Sequence, residues 1–414
     1  MPVTFKGHLD ANAAIAAMHR AAAAFKPAPE PPYIAPNAAV QRIAYLPVEI
    51  SSREMASKAW LAGELARMGW EVIVGASWNL ASHGFADFPP GVILFKTMNF
   101  FDGGFMYQAR KHGHLVACLN EELFGIKPEL DLYEIETHPL ARSLIDLACA
   151  HGQGQAEILR GLLPDRANVA TTGNPRCHHG FRHEVAGAGV RNQDAVLVCL
   201  MAGNSNGILP VEDYMAVTFR ALNRADRKVT DFLEQAINDE VRNHAAILAR
   251  ANELEAEGHT IRLRPHPVEN PDLYEIQGNI ILDDRTPIGE RMKHAERVVF
   301  VSGCGTGVDA CLAGVPSERI GTGGHGLSSL DPGAIRAEFA ERCTLPETLD
   351  AFQRDRNRPG RTTATRAISL RGQGFSPTPF HRAKFRDYTP AEISHMAGGA
   401  TVAQVGWNLF AVNA

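Results

Sequence analysis

Short apolar runs alternate with longer amphipathic stretches from about Arg42 to Leu312. Ile43-Ala44-Tyr45-Leu46-Pro47-Val48 reads as a buried strand, and the stretch from about Arg53 to Met68 as a helix that Ser51 or Ser52 can cap. Gly69 stops that helix and Glu71-Val72-Ile73-Val74-Gly75 supplies the next strand, which makes a βαβ unit with a right-handed crossover. Gly91 to Phe95 and His114 to Leu119 continue the series around a helix near Phe105 to His112. An apolar stretch over 143–149 and a strand from Asn168 to Thr171 complete a first α/β block. After the polar run from Cys177 to Asp194, which reads as a linker, the rhythm restarts at Ala195 to Leu200. A long helix from about Arg227 to Glu257 ends at Gly258, and strands follow near Thr260 to Arg264, Asn279 to Leu282 and Arg297 to Val301. A helix beginning after Ser302 should run to Leu312, with Ala313-Gly314-Val315-Pro316 as its stop.

Such alternation is the pattern of α/β domains built on parallel sheets. A chain of 414 residues is long enough for two domains of ordinary size. The expected fold is α/β, with two Rossmann-like domains, 41–182 and 183–345, facing each other across a cleft. Residues 1–40 are expected to be a loosely attached extension: an Ala-rich helix over 12–25, then a connector in which Lys26 to Pro36 hold five prolines. Residues 346–414 are expected to form a C-terminal extension, because the rhythm is lost and Pro377-Thr378-Pro379 argues against a regular sheet element.

Composition narrows the setting. The net charge of −5 gives no support to bulk nucleic-acid binding. No apolar run reaches about 18 residues, and the N-terminal stretch lacks the continuous apolar segment of a secretion signal. Seven scattered cysteines form no paired framework, which agrees with a reducing compartment. The cytoplasm is therefore the expected location, with the inner face of the membrane as an option, since the Arg-rich C-terminal region could dock a membrane surface or a partner. Cys177, His178, His179 and His183 have no C-x-x-C partner, so no metal is expected.

The candidate chemistry lies in loops that leave the carboxyl ends of strands, where open α/β sheets bind their ligands. Arg264-Pro265-His266-Pro267-Val268-Glu269 closes one strand; the two prolines hold His266 in extended or turn geometry, and its imidazole can donate to a phosphate oxygen. Arg264 could do the same in fork geometry, or both could be a solvated surface turn. Ser302-Gly303-Cys304-Gly305-Thr306-Gly307 closes another strand and opens a helix, where backbone N–H groups bind anions. Thr306 and Asp309 also fit a capping box; the alternative for Asp309 is to accept from a ribose hydroxyl. There is no G-x-x-x-x-G-K-[ST] sequence, which argues against a P-loop NTPase. The small polar loop Ala202 to Gly207 brings Asn204 and Ser205 to a third strand end. In the first block Asn120-Glu121-Glu122 ends a strand, and one carboxylate could serve as general base to an acceptor hydroxyl. Glu49-Ile50-Ser51-Ser52-Arg53-Glu54 occupies the equivalent place after the first strand, where Ser51 and Ser52 could bind substrate oxygens or simply cap the helix.

Several stretches together resemble the surface carbohydrate biosynthesis protein family, which is similar to glycosyltransferases of the GT-B architecture. They are Leu46 to Glu54, Leu119 to Glu122, Thr172-Gly173-Asn174-Pro175-Arg176, Arg264 to Glu269 and Ser302 to Pro316. The His-Pro element and the following Ser/Thr-Gly loop also resemble bacterial transferases that use CMP-activated sialic acid or 3-deoxy-octulosonic acid. The resemblance implies that His266 contacts the CMP phosphate and aids its departure, with Ser302 and Thr306 in the same pocket. It implies a base from Glu121 or Glu122, although Leu123 and Phe124 stand here before the glycine that directly follows the acidic pair in the family. The donor site expected from these loops comprises Asn204, Ser205, Arg264, His266, Glu269, Ser302, Gly303, Gly305, Thr306 and Asp309; the acceptor side comprises Glu49, Ser51, Ser52, Arg53, Asn174 and Arg176. No cofactor is implied beyond the CMP-linked co-substrate, and the acceptor would be a surface glycan or glycoprotein. Alternatives are a UDP-sugar or CDP-polyol donor, or a non-catalytic nucleotide-sugar-binding scaffold of polysaccharide assembly.

Overall fold

The computed structural model describes residues 2–35, 39–82, 85–86, 88–121, 130–177, 195–284, 286–301, 304–321, 332–339, 342–356, 377, 382 and 384–414. In chain order its strands are β1 (Val3–Phe5), β2 (Ile43–Val48), β3 (Glu71–Ala76), β4 (Val92–Phe95), β5 (Leu115–Cys118), β6 (Leu147–Ala150), β7 (Asn168–Thr171), β8 (Ala195–Cys199), β9 (Ile261–Arg264), β10 (Tyr274–Ile276), β11 (Ile280–Leu282), β12 (Ala295–Val301), β13 (Ser317–Ile320), β14 (Thr401–Gly406) and β15 (Leu409–Asn413). Two compact units share them: residues 1–28 pack with 181–337, and residues 29–180 with 338–414. The ends set apart on sequence grounds, 1–40 and 346–414, thus contribute elements to the units.

The unit built on residues 29–180 and 338–414 carries an eight-stranded sheet in the order β14-β15-β3-β2-β4-β5-β6-β7. Its six strands from β2 to β7 run parallel, and β14 and β15 add an antiparallel edge beside β3. Strands buried on both faces need apolar residues at every position. β2 meets this requirement: Ala44, Leu46 and Val48 face one layer with Met55, Ala59 and Ala62 of helix Ser51–Arg67, while Ile43 and Tyr45 face the other with Met106 and Ala109 of helix Phe100–Lys111. Helix Ser51–Arg67 also crosses helix Pro390–Met396 closely; a Cβ on Gly63 would lie 2.2 Å from the Ala397 carbonyl oxygen, so only glycine fits there.

The predicted cap of that helix differs in detail. The N-cap is Ile50, whose side chain caps nothing, and Glu54 reaches back to the N–H groups of Glu49 (2.8 Å) and Ile50 (3.2 Å). The C-terminal stretch holds helices Leu345–Arg354 and Pro390–Met396 besides β14 and β15. Helix Leu345–Arg354 precedes Pro377-Thr378-Pro379, and the other three elements follow it.

The other unit carries a parallel five-stranded sheet in the order β11-β9-β8-β12-β13. Numbered within the unit this is 3-2-1-4-5, the doubly wound order, with the chain reversing direction between β8 and β12. Helix Arg227–Ala256 lines the sheet through Ile247, Leu248, Ala251 and Leu254 and ends as expected at Gly258, whose φ is +96°. The N-terminal helix Ala11–Ala24 is capped by Asp10 and buries Ala14, Ala17, Met18 and Ala21 against helices Val211–Leu222 and Arg227–Ala256. β1 pairs antiparallel with β10. The N-terminal segment is therefore docked rather than loosely attached, because its alanine stripe lets helices approach closely.

Candidate functional site

In the first sheet the strand order reverses beside β2, and the carboxyl ends of β2, β4, β5 and β7 gather charged side chains. Glu49 follows β2 and Lys96 follows β4; Lys96 Nζ lies 2.8 Å from Glu49 Oε2 and 2.9 Å from Glu54 Oε1. Lys384, from the C-terminal stretch, reaches the other Glu49 oxygen at 2.5 Å. Burial pushes the Glu49 carboxyl upward, but Lys96 and Lys384 outweigh it and hold it well below the usual carboxylate range. Asp102 accepts from both the N–H and the hydroxyl of Thr97, and burial, with Glu49 nearby, still lifts it to about 6.

Glu121 follows β5. Asn120 before it adopts φ +48°, a left-handed conformation that asparagine tolerates better than most residues, and Glu121 N–H donates to the Lys96 carbonyl at 2.9 Å. The Glu121 side chain is 1% exposed and the Lys58 side chain 0%, with Nζ 3.5 Å from Glu121 Oε1. Among the described residues neither carboxylate oxygen of Glu121 has a hydrogen-bond partner, nor have Lys58 Nζ, Asn120 Nδ2 and Asn174 Nδ2, all of them buried. Burial raises the Glu121 carboxyl above its ordinary range, while Lys58 acts against that shift and Glu54 with it. Asn174 is fully buried after β7 and accepts from Arg176 N–H, and Arg176 lies within electrostatic reach of Glu121. The expected Glu121, Asn174 and Arg176 are thus brought together. Glu122 lies outside the described residues.

Glu49 and Ser51, expected on the acceptor side, make contacts within the unit. Glu49 is bound by the two lysines, and the Ser51 hydroxyl accepts from Arg386 N–H at 3.1 Å. Ser52 and Arg53 are part-buried on the first turn of the helix. After β6, Glu338 accepts from Gly154 and Gln155 N–H at 3.1 Å each, so the protein's own carboxylate occupies that helix start.

In the second unit the loops after β8, β9 and β12 meet around the strand-order reversal. Leu200 N–H donates to Arg264 O and Ile208 N–H to Val268 O, which zips the 200–208 loop to the His266 loop. A Cβ on Gly203 would lie 2.6 Å from Val268 Cγ2 and 3.3 Å from His266 Nδ1; the imidazole therefore rests against bare backbone. Gly305 and Thr306 open helix Thr306–Ala313 after β12, while Ser302 and Gly303 lie outside the described residues.

Several residues expected at the donor site make contacts within the unit. Glu269 is 0% exposed and accepts from Ala202 N–H at 2.5 Å and Tyr274 hydroxyl at 2.9 Å. Asn204 and Ser205 turn inward: the Asn204 N–H and side-chain amide and the Ser205 hydroxyl all donate to Glu240, a buried residue of helix Arg227–Ala256. Burial lifts Glu240 to about 8, with Glu269 adding repulsion, and lifts Glu269 itself to about 7. Arg264 binds Asp283 and the Thr286 carbonyl through Nη1. The capping box does not form, because Gly305 is the N-cap, and the Thr306 hydroxyl accepts instead from the Cys304 thiol at 3.3 Å. Asp309 is buried in the first turn of that helix.

Lys58, Lys96, Glu240 and Asn120 were missed on sequence grounds, yet signals existed. Lys96 directly follows a strand, as Glu49 does. Glu54 and Lys58 fall on the apolar stripe that continues through Leu61, Ala62 and Leu65, and Glu240 and His244 fall on the stripe of Leu233, Ile237, Ile247 and Ala251. A charge on a buried stripe must find a partner inside.

Among the described residues no group of three or more His, Cys, Asp or Glu side chains is placed to hold a metal ion, and His178, His179 and His183 lie outside them. Among the same residues no helix is long and apolar enough to cross a membrane. The sequence matches no protein-family model and no curated protein. Among solved structures, a candidate UDP-N-acetylglucosamine 2-epimerase from Listeria monocytogenes is similar at 14% identity with a TM-score of 0.37, over 68% of this chain and 79% of that one. MurG from Acinetobacter baumannii is similar at 12% identity with a TM-score of 0.26, over 79% of this chain and 98% of that one.

Proposed function

We propose that the protein is a glycosyltransferase of GT-B type that moves a nonulosonic-acid-type sugar from a CMP-activated donor to a surface glycan or glycoprotein acceptor. The observation that carries this reading is Glu121, a buried carboxylate at a strand's carboxyl end whose two oxygens have no hydrogen-bond partner among the described residues. A group of that kind suits a general base, which must be free to accept a proton from a bound hydroxyl. Asn174 Nδ2 and Arg176 would orient the acceptor beside it. In the second unit, His266 against Gly203 and the backbone at Gly305 and Thr306 supply donors for a phosphate.

In the reaction proposed, the acceptor oxygen bonds to the anomeric carbon as its proton passes to Glu121. The bond from that carbon to the phosphate oxygen breaks, and CMP leaves with the electron pair; the groups of the second unit suited to meet such a charge are His266 and backbone N–H groups. Calorimetry with CMP, UDP and CDP tests the donor. Selective CMP binding is expected, weakened about tenfold to a hundredfold in His266→Ala, as the loss of one hydrogen bond to a charged group implies. Stronger binding of UDP or CDP would move the donor to a UDP-sugar or CDP-polyol, and equal binding by the variant would remove His266 from the site.

A second reading is a non-catalytic nucleotide-sugar-binding scaffold, in which the Lys58–Glu121 ion pair takes no part in chemistry. It requires nucleotide binding with neither transfer nor donor hydrolysis. Peripheral contact with the membrane belongs to the same proposal and is checked by liposome sedimentation.

A further inference from the structure

Lys58 stands on the buried face of helix Ser51–Arg67 and pairs with Glu121, its Nζ 3.5 Å from Oε1. Buried ion pairs that serve the fold are normally closed by further hydrogen bonds, because removing both charges from water costs more than an open pair returns. The neighbouring pair obeys this rule: Glu54 takes Lys96 and two backbone N–H groups. The Lys58–Glu121 pair does not. Neither Nζ nor either carboxylate oxygen has a hydrogen-bond partner among the described residues, although both side chains are at least 99% buried.

The groups that face Glu121 are Lys58, Lys96, Arg176 and Glu54. Lys96 is already matched by Glu49 and Glu54, and Glu54 is itself anionic; of the remaining cations, Lys58 acts on Glu121 more strongly than Arg176 and forms the ion pair with it. We infer that Lys58 is a positioning residue for Glu121: its ammonium keeps that carboxyl ionised inside the protein and holds Oε1 in place, leaving Oε2 to accept a proton from a bound hydroxyl. This rests on Glu121 being the base proposed above. Lys58 itself touches no substrate; it acts through the carboxylate.

The test is a carboxyl-carbon NMR titration of the full chain, with the Glu121 signal assigned by its loss in Glu121→Gln. Glu121 should be ionised at pH 7 in the wild type. In Lys58→Met its midpoint should rise by at least one pH unit, about a tenfold change in its proton affinity, and Lys58→Arg should restore the wild-type midpoint. With a CMP-linked donor and acceptor, the acidic limb of kcat/KM should move up by the same amount in Lys58→Met, with KM for the donor unchanged. An unmoved midpoint in Lys58→Met overturns the inference. So does a Glu121 that is protonated at pH 7 in the wild type, a result that stands even if Lys58→Met fails to fold. The titration needs no turnover, so a shifted midpoint without transfer by any donor would count against the glycosyltransferase reading and leave the Lys58–Glu121 coupling intact.

Discussion

At the scale of single residues, small side chains decide where large ones can stand. Gly203 lets the imidazole of His266 and the side chain of Val268 lie on the backbone of the neighbouring loop, and Val268 is stiff and buried, with little room to yield. Gly203→Ala should therefore destabilise the protein by about 1–3 kcal/mol through overpacking and displace His266. Thermal unfolding together with nucleotide calorimetry checks this; a variant as stable as the wild type and with equal binding would show that the loops are not in contact as described. Asn120 acts in the same way on Glu121, through a backbone conformation rather than through bulk. The loops were legible from Pro, Gly and Asn, but the contacts were not. A close approach depends on a residue far away in the chain.

At the scale of elements, helix Arg227–Ala256 holds the loop after β8 by its buried Glu240, while Glu269 and Tyr274 hold the same loop from β9 and β10. His244 Nε2, 2.9 Å from the Tyr274 hydroxyl, extends the network, and burial lowers that imidazole to about 4. Folding lifts the carboxyls of Glu240 and Glu269 from an ordinary 4.5 to about 8 and about 7. The folded chain thus retains protons that the unfolded chain has released. Their contribution to stability is fully present below about pH 4 and is lost as the pH rises through 7 and 8, at about 1.4 kcal/mol per pH unit for each retained proton. Glu240→Gln should flatten that dependence and raise the unfolding temperature relative to wild type above pH 8, measured by thermal unfolding from pH 5 to 9. An unchanged slope would mean that Glu240 is ionised in the folded protein. The helix was foreseen from its pattern and its glycine stop, whereas the carboxylate within its buried stripe was not singled out. Periodicity reports which face is buried, and only the fold shows what a buried charge meets.

At the scale of the whole molecule, β15 closes the first sheet beside β3, with Leu409, Phe410, Ala411 and Val412 all 0% exposed. Removing residues 401–414 would strip that cover and leave β3 as an apolar edge open to pairing between chains. Each large apolar side chain so lost is worth about 1.5–3 kcal/mol. The shortened chain should aggregate and lose cooperative unfolding of this unit, as followed by sedimentation and urea titration; a soluble product with an unchanged transition would show that β14 and β15 are dispensable. The sequence by itself determined the α/β character. Continuous apolar strands separated by amphipathic helices can hide both sheet faces only in layered parallel sheets, and this placed the Glu49, Glu121, His266 and Thr306 segments at carboxyl ends. Tertiary structure alone decided the strand orders, the docking of the two chain ends, and the pairing of Lys58 with Glu121 and of Glu240 with Asn204. Such pairings are fixed by the cost of leaving a charge or a strand edge without a partner, and the partners that meet it are brought together only when the chain packs.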